Sequence, residues 1–536
     1  MSNNPFARSG IGSPAPVTEQ VREDMVPNTD GGGFVFKVDH KTRLTRFLVL
    51  GTSGGTYYAT EKKLTKDNAK FLTELIAVDQ QMVLETVLEI STSGRAYRNS
   101  PAIFACAALA VYGKVVDLSA LVKAVCRTST HLFEFVEYVK MLGGFGRAKR
   151  AAIASWYTDK TPQQLAYQVI KYRQRNGWTH RDMLRLSHPV GLDQRIGDFI
   201  LGKNVHEASS YYENMHDDLI RGFKFAQESK TASELINVAL MPYPNLPWEA
   251  IPTEFLKELR VWKQLIENGQ LTGQALLRNI TRLARLEAFN NMVFERDYAN
   301  RLVDVDMMRR TRLHPFQYLL ALTVHQEGQA DRRGSNDRNR DWTPSPVIVD
   351  ALNDGFYKAF KYVEPANKRT MLALDVSASM SWNMAGIDLT AAQVVAAMSM
   401  TVARTEPYYH IVGFADQIRD LGITPGQNLN EVMQRVQSKN FGYTNISAAI
   451  EYARQRKIAM DTLVIMTDNE VNSGVHPYQA LQRYRREMNI PTKLIVVATT
   501  PTNFSIADPN DSGMLDISGA DSNLPALIAN FSAGRI

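Results

Sequence analysis

Cysteine is nearly absent: Cys106 and Cys126 are the only two in 536 residues. That is too few for a disulfide framework or a four-cysteine zinc site, and both sit in apolar helical text that reads as core in a reducing compartment. Long apolar runs are missing as well. The best candidate, 394–403, is broken by Ser399 and Thr401 and falls short of the roughly 20 apolar residues a membrane helix needs. The N-terminus has no apolar signal core. Residues 1–33 are rich in Ser, Pro, Asn and Gly, end in Gly31-Gly32-Gly33, and read as the flexible leader of a cytoplasmic protein. There is no nucleophile elbow, no H-E-x-x-H pair and no Walker loop. Leu50-Gly51-Thr52-Ser53-Gly54-Gly55-Thr56 is glycine-rich but lacks the Gly-Lys-Ser/Thr ending of a phosphate cradle.

What is present is ordinary globular composition, 44% hydrophobic and 22% charged, over a length that points to about three units. Charge is unevenly spread. The chain holds 61 Lys/Arg and 55 Asp/Glu; residues 361–536 carry 15 and 16 of them, leaving 46 and 39 to residues 1–360. Residues 141–200 alone carry 10 basic and 4 acidic side chains, which matches the net +6 of the whole chain. Such focusing is the footprint of a polyanionic partner, with nucleic acid the commonest.

Two periodicities divide the chain. In 64–90, Leu64, Phe71, Leu72, Leu75, Ile76, Met82, Val83, Val87 and Leu88 recur at three- and four-residue steps. Similar spacing predicts helices at 100–112, 118–126, 130–141, 147–157, 162–175 and 179–187, joined by short loops in the manner of an α-solenoid. Residues 326–346, with four arginines between 331 and 340 and with Pro344 and Pro346, break that rhythm and read as a mobile, solvated loop. After Lys368, buried-strand text at 371–375, 410–415, 462–467 and 493–499 alternates with helical text at 388–404, 428–437, 444–457 and 477–488. Near-continuous apolar strands separated by helices predict a doubly wound parallel α/β domain.

In such a sheet, function gathers where the strands end. The first strand runs into Asp375-Val376-Ser377-Ala378-Ser379, a later loop carries Gly442-Tyr443-Thr444, and 462–467 ends at Asp468. Hydroxyls and carboxylates on three loops are hard oxygen ligands suited to Mg²⁺, with a coordination position left for an acidic group of a partner protein. The pattern resembles the metal-ion-dependent adhesion site of von Willebrand factor A domains. That resemblance implies that Ser377, Ser379 and Thr444 bind the ion directly or nearly so, while Asp375 and Asp468 act largely through water. A metal-dependent nuclease on the same cluster is disfavoured, because two-metal sites need several bridging carboxylates. A protein-adhesion scaffold is compatible with it.

The basic window centres on Lys171-Tyr172-Arg173-Gln174-Arg175-Asn176-Gly177-Trp178, followed by His180-Arg181-Asp182 and by His188. The spacing places Lys171 and Arg175 on one helix face, ends that helix at Gly177, and lets Thr179 cap the next helix over Asp182. His188 then falls near the end of that second helix. A lysine, an arginine, the Gln174 amide and a histidine suit RNA phosphates and bases; Trp178 reads as a packing residue.

The run KYRQRNGWTHRDMLRLSHP (171–189) closely resembles a segment of the Ro ribonucleoprotein autoantigen family, whose helical module is called TROVE. Similar strings continue in order through CRTSTHLFEFVEYVK (126–140), GRAKRAAIASWY (146–157), QALLRN (274–279), RLHPFQYLLAL (312–322), FYKAFKYVEPANKR (356–369), LDVSASM (374–380), MTDNEVNSGVHP (466–477) and IADPNDSGMLD (506–516). The resemblance implies a mainly α fold, a ring of HEAT-like helical repeats closed by a von Willebrand factor A domain. Its division is a leader at 1–33, the TROVE module at 34–360 and the A domain at 361–536. It implies a noncatalytic, monomeric RNA-binding protein of RNA quality control. Such a protein takes small noncoding Y-like RNA on its outer surface and single-stranded 3′ ends of misfolded RNAs in a central hole, alongside a 3′ exonuclease such as polynucleotide phosphorylase. By position, Lys171, Arg175 and His188 match the Y RNA contacts, with Gln174 their neighbour. Arg147, Lys149 and Arg150 are candidates for the basic surface, and Arg278 and Asn279 for the ring interior. Tyr443 stands where the vertebrate pattern has a second glycine, and the leader and the 331–340 loop also depart from it, as in a bacterial or bacteriophage-borne member.

Overall fold

The apolar spacing of the first half folds into helices in close register with the sequence reading. The computed structural model describes residues 25–27, 34–36, 39–51, 56–58, 64, 66–93, 98–203, 215–328, 341–376, 389–414, 418–436, 447–467, 477–498 and 511–536. Strands β1 (Met25–Pro27) and β2 (Phe34–Phe36) pair antiparallel, so part of the segment read as leader is a strand. Helix α1 (His40–Leu50) is capped by the Asp39 side chain and ends at Gly51 with φ 77°, after which β3 (Thr56–Tyr58) follows. The glycine-rich run thus leads from a helix end to a strand.

Helices α2 (Lys66–Ser93), α3 (Ser100–Tyr112), α4 (Leu118–Val125), α5 (Ser129–Leu142), α6 (Arg147–Thr158) and α7 (Pro162–Lys171) come next. A hairpin of β4 (Gln174–Arg175) and β5 (Trp178–Thr179) then leads into α8 (His180–Ser187), α9 (Gln194–Leu201) and α10 (Met215–Glu228). Helix α3 is apolar on every side and is buried from Pro101 to Leu109, as a helix without a polar face must be. It packs against α2 and α5; α4 packs against α2 and α6, and α6 against α8. Contacts between alternate helices build a two-layered stack. Cys106 and Cys126 lie in it, buried and unbridged, with burial pushing both thiols up. No helix among the described residues is long and apolar enough to cross a membrane.

The chain forms two compact units. One comprises residues 64–313 and 324–354; the other comprises residues up to 63, 314–323 and 355–536. This differs from a linear division at 360, because α1 and β3 fold with the C-terminal unit. The reason is long-range pairing. β3 lies parallel to β11 (Met514–Ser518), with Asp516, Ile517 and Ser518 opposite Thr56, Tyr57 and Tyr58. The buried Arg46 guanidinium donates to the carbonyls of Ser512 at 2.6 Å and Met514 at 3.2 Å.

The other strands are β6 (Arg369–Asp375), β7 (Tyr408–Phe414), β8 (Ile418–Asp420), β9 (Thr462–Thr467) and β10 (Lys493–Ala498). The seven-stranded sheet runs β3-β11-β10-β9-β6-β7-β8, parallel throughout except for the edge strand β8. Its apolar strands are covered by helices at Ala391–Thr405, Ala448–Gln455 and Pro477–Met488, among others. This is the expected α/β domain, extended by strands that the apolar-run pattern did not reveal. Interior strand β6, between β9 and β7, ends at Asp375.

Candidate nucleic-acid interface

The basic segment is a hairpin mounted on two helices, not a continuation of one helix. Helix α7 starts from a reciprocal capping box, Thr161 with Gln164, and carries Pro162 in its first turn. It stops at Lys171, where the Tyr172 N–H closes on the Gln168 carbonyl at 3.0 Å. Asn176 (φ 52°) and Gly177 (φ 78°) are both left-handed, the requirement of a two-residue type I′ turn, for which Asn-Gly is the favoured sequence. The register pairs Gln174 with Thr179 and Arg175 with Trp178. The expected helix over 162–175 therefore ends four residues early, and Lys171 and Arg175 do not share a helix face. Lys171 closes α7, while Gln174, Arg175 and Asn176 stand exposed on the hairpin.

The root of the hairpin is fixed by packing. Trp178 donates its indole N–H to Glu137 at 2.8 Å, meets Phe145 edge-on, and lies under the Lys140 ammonium. Thr179 and Asp182 form the expected capping box of α8. His180 is buried, with Nε2 at 3.0 Å from the Tyr172 carbonyl and Nδ1 at 2.8 Å from the Tyr157 hydroxyl. A carbonyl only accepts, so Nε2 carries the proton and Nδ1 accepts from Tyr157. Burial pushes the His180 pKa down to about 4, keeping the ring neutral.

His131 and His325, in the same unit, are also pushed down to about 4, first by burial. With an ordinary histidine value of 6.5, the unfolded chain takes up protons that the folded chain refuses. Stability is therefore full above about pH 7 and is lost as pH falls from 6.5 towards 4, by up to roughly 1.4 kcal/mol per pH unit for each histidine. Urea midpoints across this range should fall with pH, and less steeply in His180→Gln. A midpoint unchanged down to about pH 5 would contradict this assignment.

Lys171 is half-buried. Its ammonium donates to the Tyr167 hydroxyl at 3.2 Å and pairs with Glu249 at 3.6 Å. Burial lowers its pKa, but Glu249 and the Tyr167 hydrogen bond outweigh that, and the net shift is upward. No sequence signal connected Glu249 to this site. His188 is the exposed C-cap of α8, left-handed at φ 48°, about 12 Å from the hairpin root given 1.5 Å per residue. Arg147, Lys149 and Arg150 occupy the first turn of α6, whose N-cap Gly146 offers no side-chain cap. Three cations there add to the positive end of the helix dipole, a setting that favours an anion.

On the helix Gln274–Arg285, Arg278 and Arg282 lie one turn apart and exposed. Asn279, a candidate for the ring interior beside Arg278, is buried. It is 6% exposed, and its amide donates to the Ala275 carbonyl at 2.8 Å, so it packs within the helix layer.

Of the metal-loop residues, Asp375 is described. It is fully buried at the end of β6, and the Thr467 hydroxyl donates to its Oδ2 at 3.1 Å. Ser377, Ser379, Thr444 and Asp468 lie outside the described residues, as does the arginine-rich stretch 331–340.

Two family models match the chain. The one described as TROVE domain covers residues 27–233 and 241–336, and the one described as Ro60 vWA domain covers residues 369–532. The chain is similar to the RNA-binding protein RO60 of Deinococcus radiodurans, 38% identical over 533 residues that span 97% of this chain and 98% of that one. It is 31% identical over 597 positions to the RNA-binding protein RO60 of Caenorhabditis elegans, spanning 97% and 91% of the two chains. The fold is similar to the crystal structure of the Deinococcus radiodurans RO (RSR) protein, with a TM-score of 0.84 at 36% identity, over 93% of this chain and 100% of that one.

Proposed function

Because this chain belongs to the family that joins a TROVE domain to a Ro60 vWA domain, we propose that it is a noncatalytic RNA-binding protein of RNA quality control in the cytoplasm. The observation that carries this reading is the exposed β4–β5 hairpin. From Lys171 to Arg181 the segment has four cations besides His180 and no carboxylate, and it presents Gln174 and Arg175 to solvent between Lys171 and His188. Arginine and lysine on a rigid hairpin neutralise phosphates, while the amide reads a base edge. We assign Lys171, Gln174, Arg175 and His188 to a structured small RNA of the Y type, with Arg147, Lys149 and Arg150 extending the basic surface and Arg278 assigned to the single-stranded 3′ ends. Single-stranded 3′ ends of misfolded RNA and a 3′ exonuclease such as polynucleotide phosphorylase complete the proposed cycle. A titration of labelled stem-loop RNA tests this reading: saturable binding with the RNA recovered at full length supports it, and absence of binding at low salt refutes it.

The C-terminal unit is proposed to hold Mg²⁺. The buried Asp375 carboxylate, partnered by the Thr467 hydroxyl, fits this ion because a buried anion needs a cation or hydrogen-bond donors. The proposed donors are Asp375, Ser377, Ser379, Thr444 and Asp468. When bound, the ion would present a Lewis-acidic position to a partner's carboxylate. Asp375→Asn keeps the side chain's shape and removes its charge. Titration calorimetry should show Mg²⁺ binding in the wild type and at least tenfold weaker binding in this variant. Equal affinity in both would remove Asp375 from the site.

A further inference from the structure

Beside the hairpin lies a cleft of about 680 Å³ that shares only Gln174 with the RNA contacts assigned above. Arg173 just before β4, Gln174 of β4, Thr179 of β5, Arg181 of α8, Phe199 of α9 and Phe223 of α10 are among the residues that line it. Among the described residues, no carboxylate lines it. The Phe199 and Phe223 rings meet edge-to-face at 5.6 Å, and the Arg173 guanidinium lies 5.2 Å from the centre of the Phe223 ring. The Arg181 guanidinium is held at 2.7 Å by the Leu201 carbonyl at the end of α9. His180 forms part of the wall, but both its ring nitrogens are engaged.

We infer that this cleft receives one unpaired nucleotide of the RNA bound at the hairpin. The inference rests on the RNA-binding reading above and adds to it a base-binding pocket. The volume falls within the few-hundred to about 1,000 Å³ range of small-ligand pockets. The lining supplies what an unstacked nucleotide needs: the half-buried Phe199 ring and the exposed Arg173 guanidinium plane for the base, both backed by the buried Phe223 ring, cations for its phosphate, and the exposed Gln174 amide to pair with a base edge. Because Gln174 shares strand β4 with Arg175 and Arg173 immediately precedes that strand, a backbone held by Arg175 passes within reach of the opening.

The test uses a stem-loop RNA with a short single-stranded 3′ tail, and a set in which each unpaired nucleotide in turn is made abasic. With the wild type, one abasic position should weaken binding about tenfold, the scale of one stacked base. Phe199→Leu keeps the apolar volume and loses the ring. It should bind the intact RNA about tenfold more weakly, and abasic substitution should cost it nothing further; Phe199→Trp should restore the sensitivity. Arg173→Ala, at an exposed position just before the hairpin, should show the same loss should Phe199→Leu prove poorly folded. Intact RNA bound with no sensitive position, or a sensitivity unchanged in both variants, overturns the pocket while leaving the RNA reading in place. No binding of intact RNA overturns both. Free AMP, GMP, CMP or UMP competing as strongly as the RNA itself would reassign the cleft to a free nucleotide and overturn the proposal.

Discussion

Replacing Lys171 and Arg175 together by alanine is expected to weaken RNA binding by roughly 10- to 100-fold at low salt, about 1.4–2.8 kcal/mol. The larger share belongs to Arg175. A phosphate reaching Lys171 meets an ammonium already facing Glu249 at 3.6 Å, so part of the attraction is offset by the carboxylate that stays behind. Arg175 stands exposed on the hairpin, where its fork can grip a phosphate in a bidentate fashion. Salt separates this account from a folding defect. Each lost phosphate contact flattens the slope of log affinity against log salt by about 0.9 for duplex or 0.7 for single-stranded RNA. The double variant should lose about 1.8 or 1.4 units of slope, whereas a partly unfolded sample would bind less with its slope unchanged. Both side chains lie on a surface whose root is held by Trp178, His180 and Thr179, so the double variant should keep the wild-type urea midpoint.

Asp511→Ala is expected to cost about 3–5 kcal/mol of stability in the C-terminal unit, a large part of the ~5–15 kcal/mol by which a domain is stable. The fully buried Asp511 carboxylate pairs with Arg485, itself 5% exposed, and accepts the Gly513 N–H at 2.8 Å. Arg485 also donates to the Thr492 carbonyl at 2.8 Å. Nearby, burial lowers the Arg46 pKa to about 10, and the Asp511 charge partly compensates. Removing the carboxylate leaves two guanidinium groups in low dielectric and one backbone donor unsatisfied. That penalty exceeds anything a surface ion pair in this chain is worth. Because Arg46 ties α1 to the segment before β11, the same change should loosen the N-terminal strand β3 from the sheet edge. Urea unfolding measures the loss, and amide exchange at Thr56, Tyr57 and Tyr58 reads the edge. Asp511→Asn, which keeps an acceptor for Gly513, should recover a minor part. A cost below about 1 kcal/mol for the alanine variant would show that the two arginines find other partners.

How much of this was legible beforehand depends on the range of the interactions involved. The strands at 462–467 and 493–498 and the helix at 477–488 declare themselves through local patterns, unbroken apolar runs and three-to-four spacing. The Thr179–Asp182 cap was visible because a capping box is written within four residues. The hairpin was written locally too, in Asn176-Gly177. Helical spacing masks it, because Lys171, Gln174 and Arg175 stand three and four residues apart and Gly177 also fits a helix stop. β3 could not be seen. Three residues after a glycine-rich run carry no strand pattern of their own, and their partner lies at 516–518. Strand β11 escaped because Asp516 interrupts its apolar text. Glu249 beside Lys171, and the cleft shared by α7, β4, α9 and α10, arise from packing between segments far apart in sequence, which spacing rules do not reach. Asn279 is a ring-interior candidate beside Arg278 by resemblance alone; one step along a helix turns a side chain by about 100°, and here that step takes Asn279 into the helix layer.

The central claim is that the hairpin surface of the helical unit grips RNA without cutting it. Crosslinking with 4-thiouridine-substituted stem-loop RNA in the presence of Mg²⁺, followed by mass spectrometry of the attached peptides and sizing of the RNA, tests this most directly. The account predicts attachment concentrated in residues 171–188 with the RNA at its starting length. Attachment confined to the C-terminal unit, or RNA shortened in step with protein concentration, would contradict it.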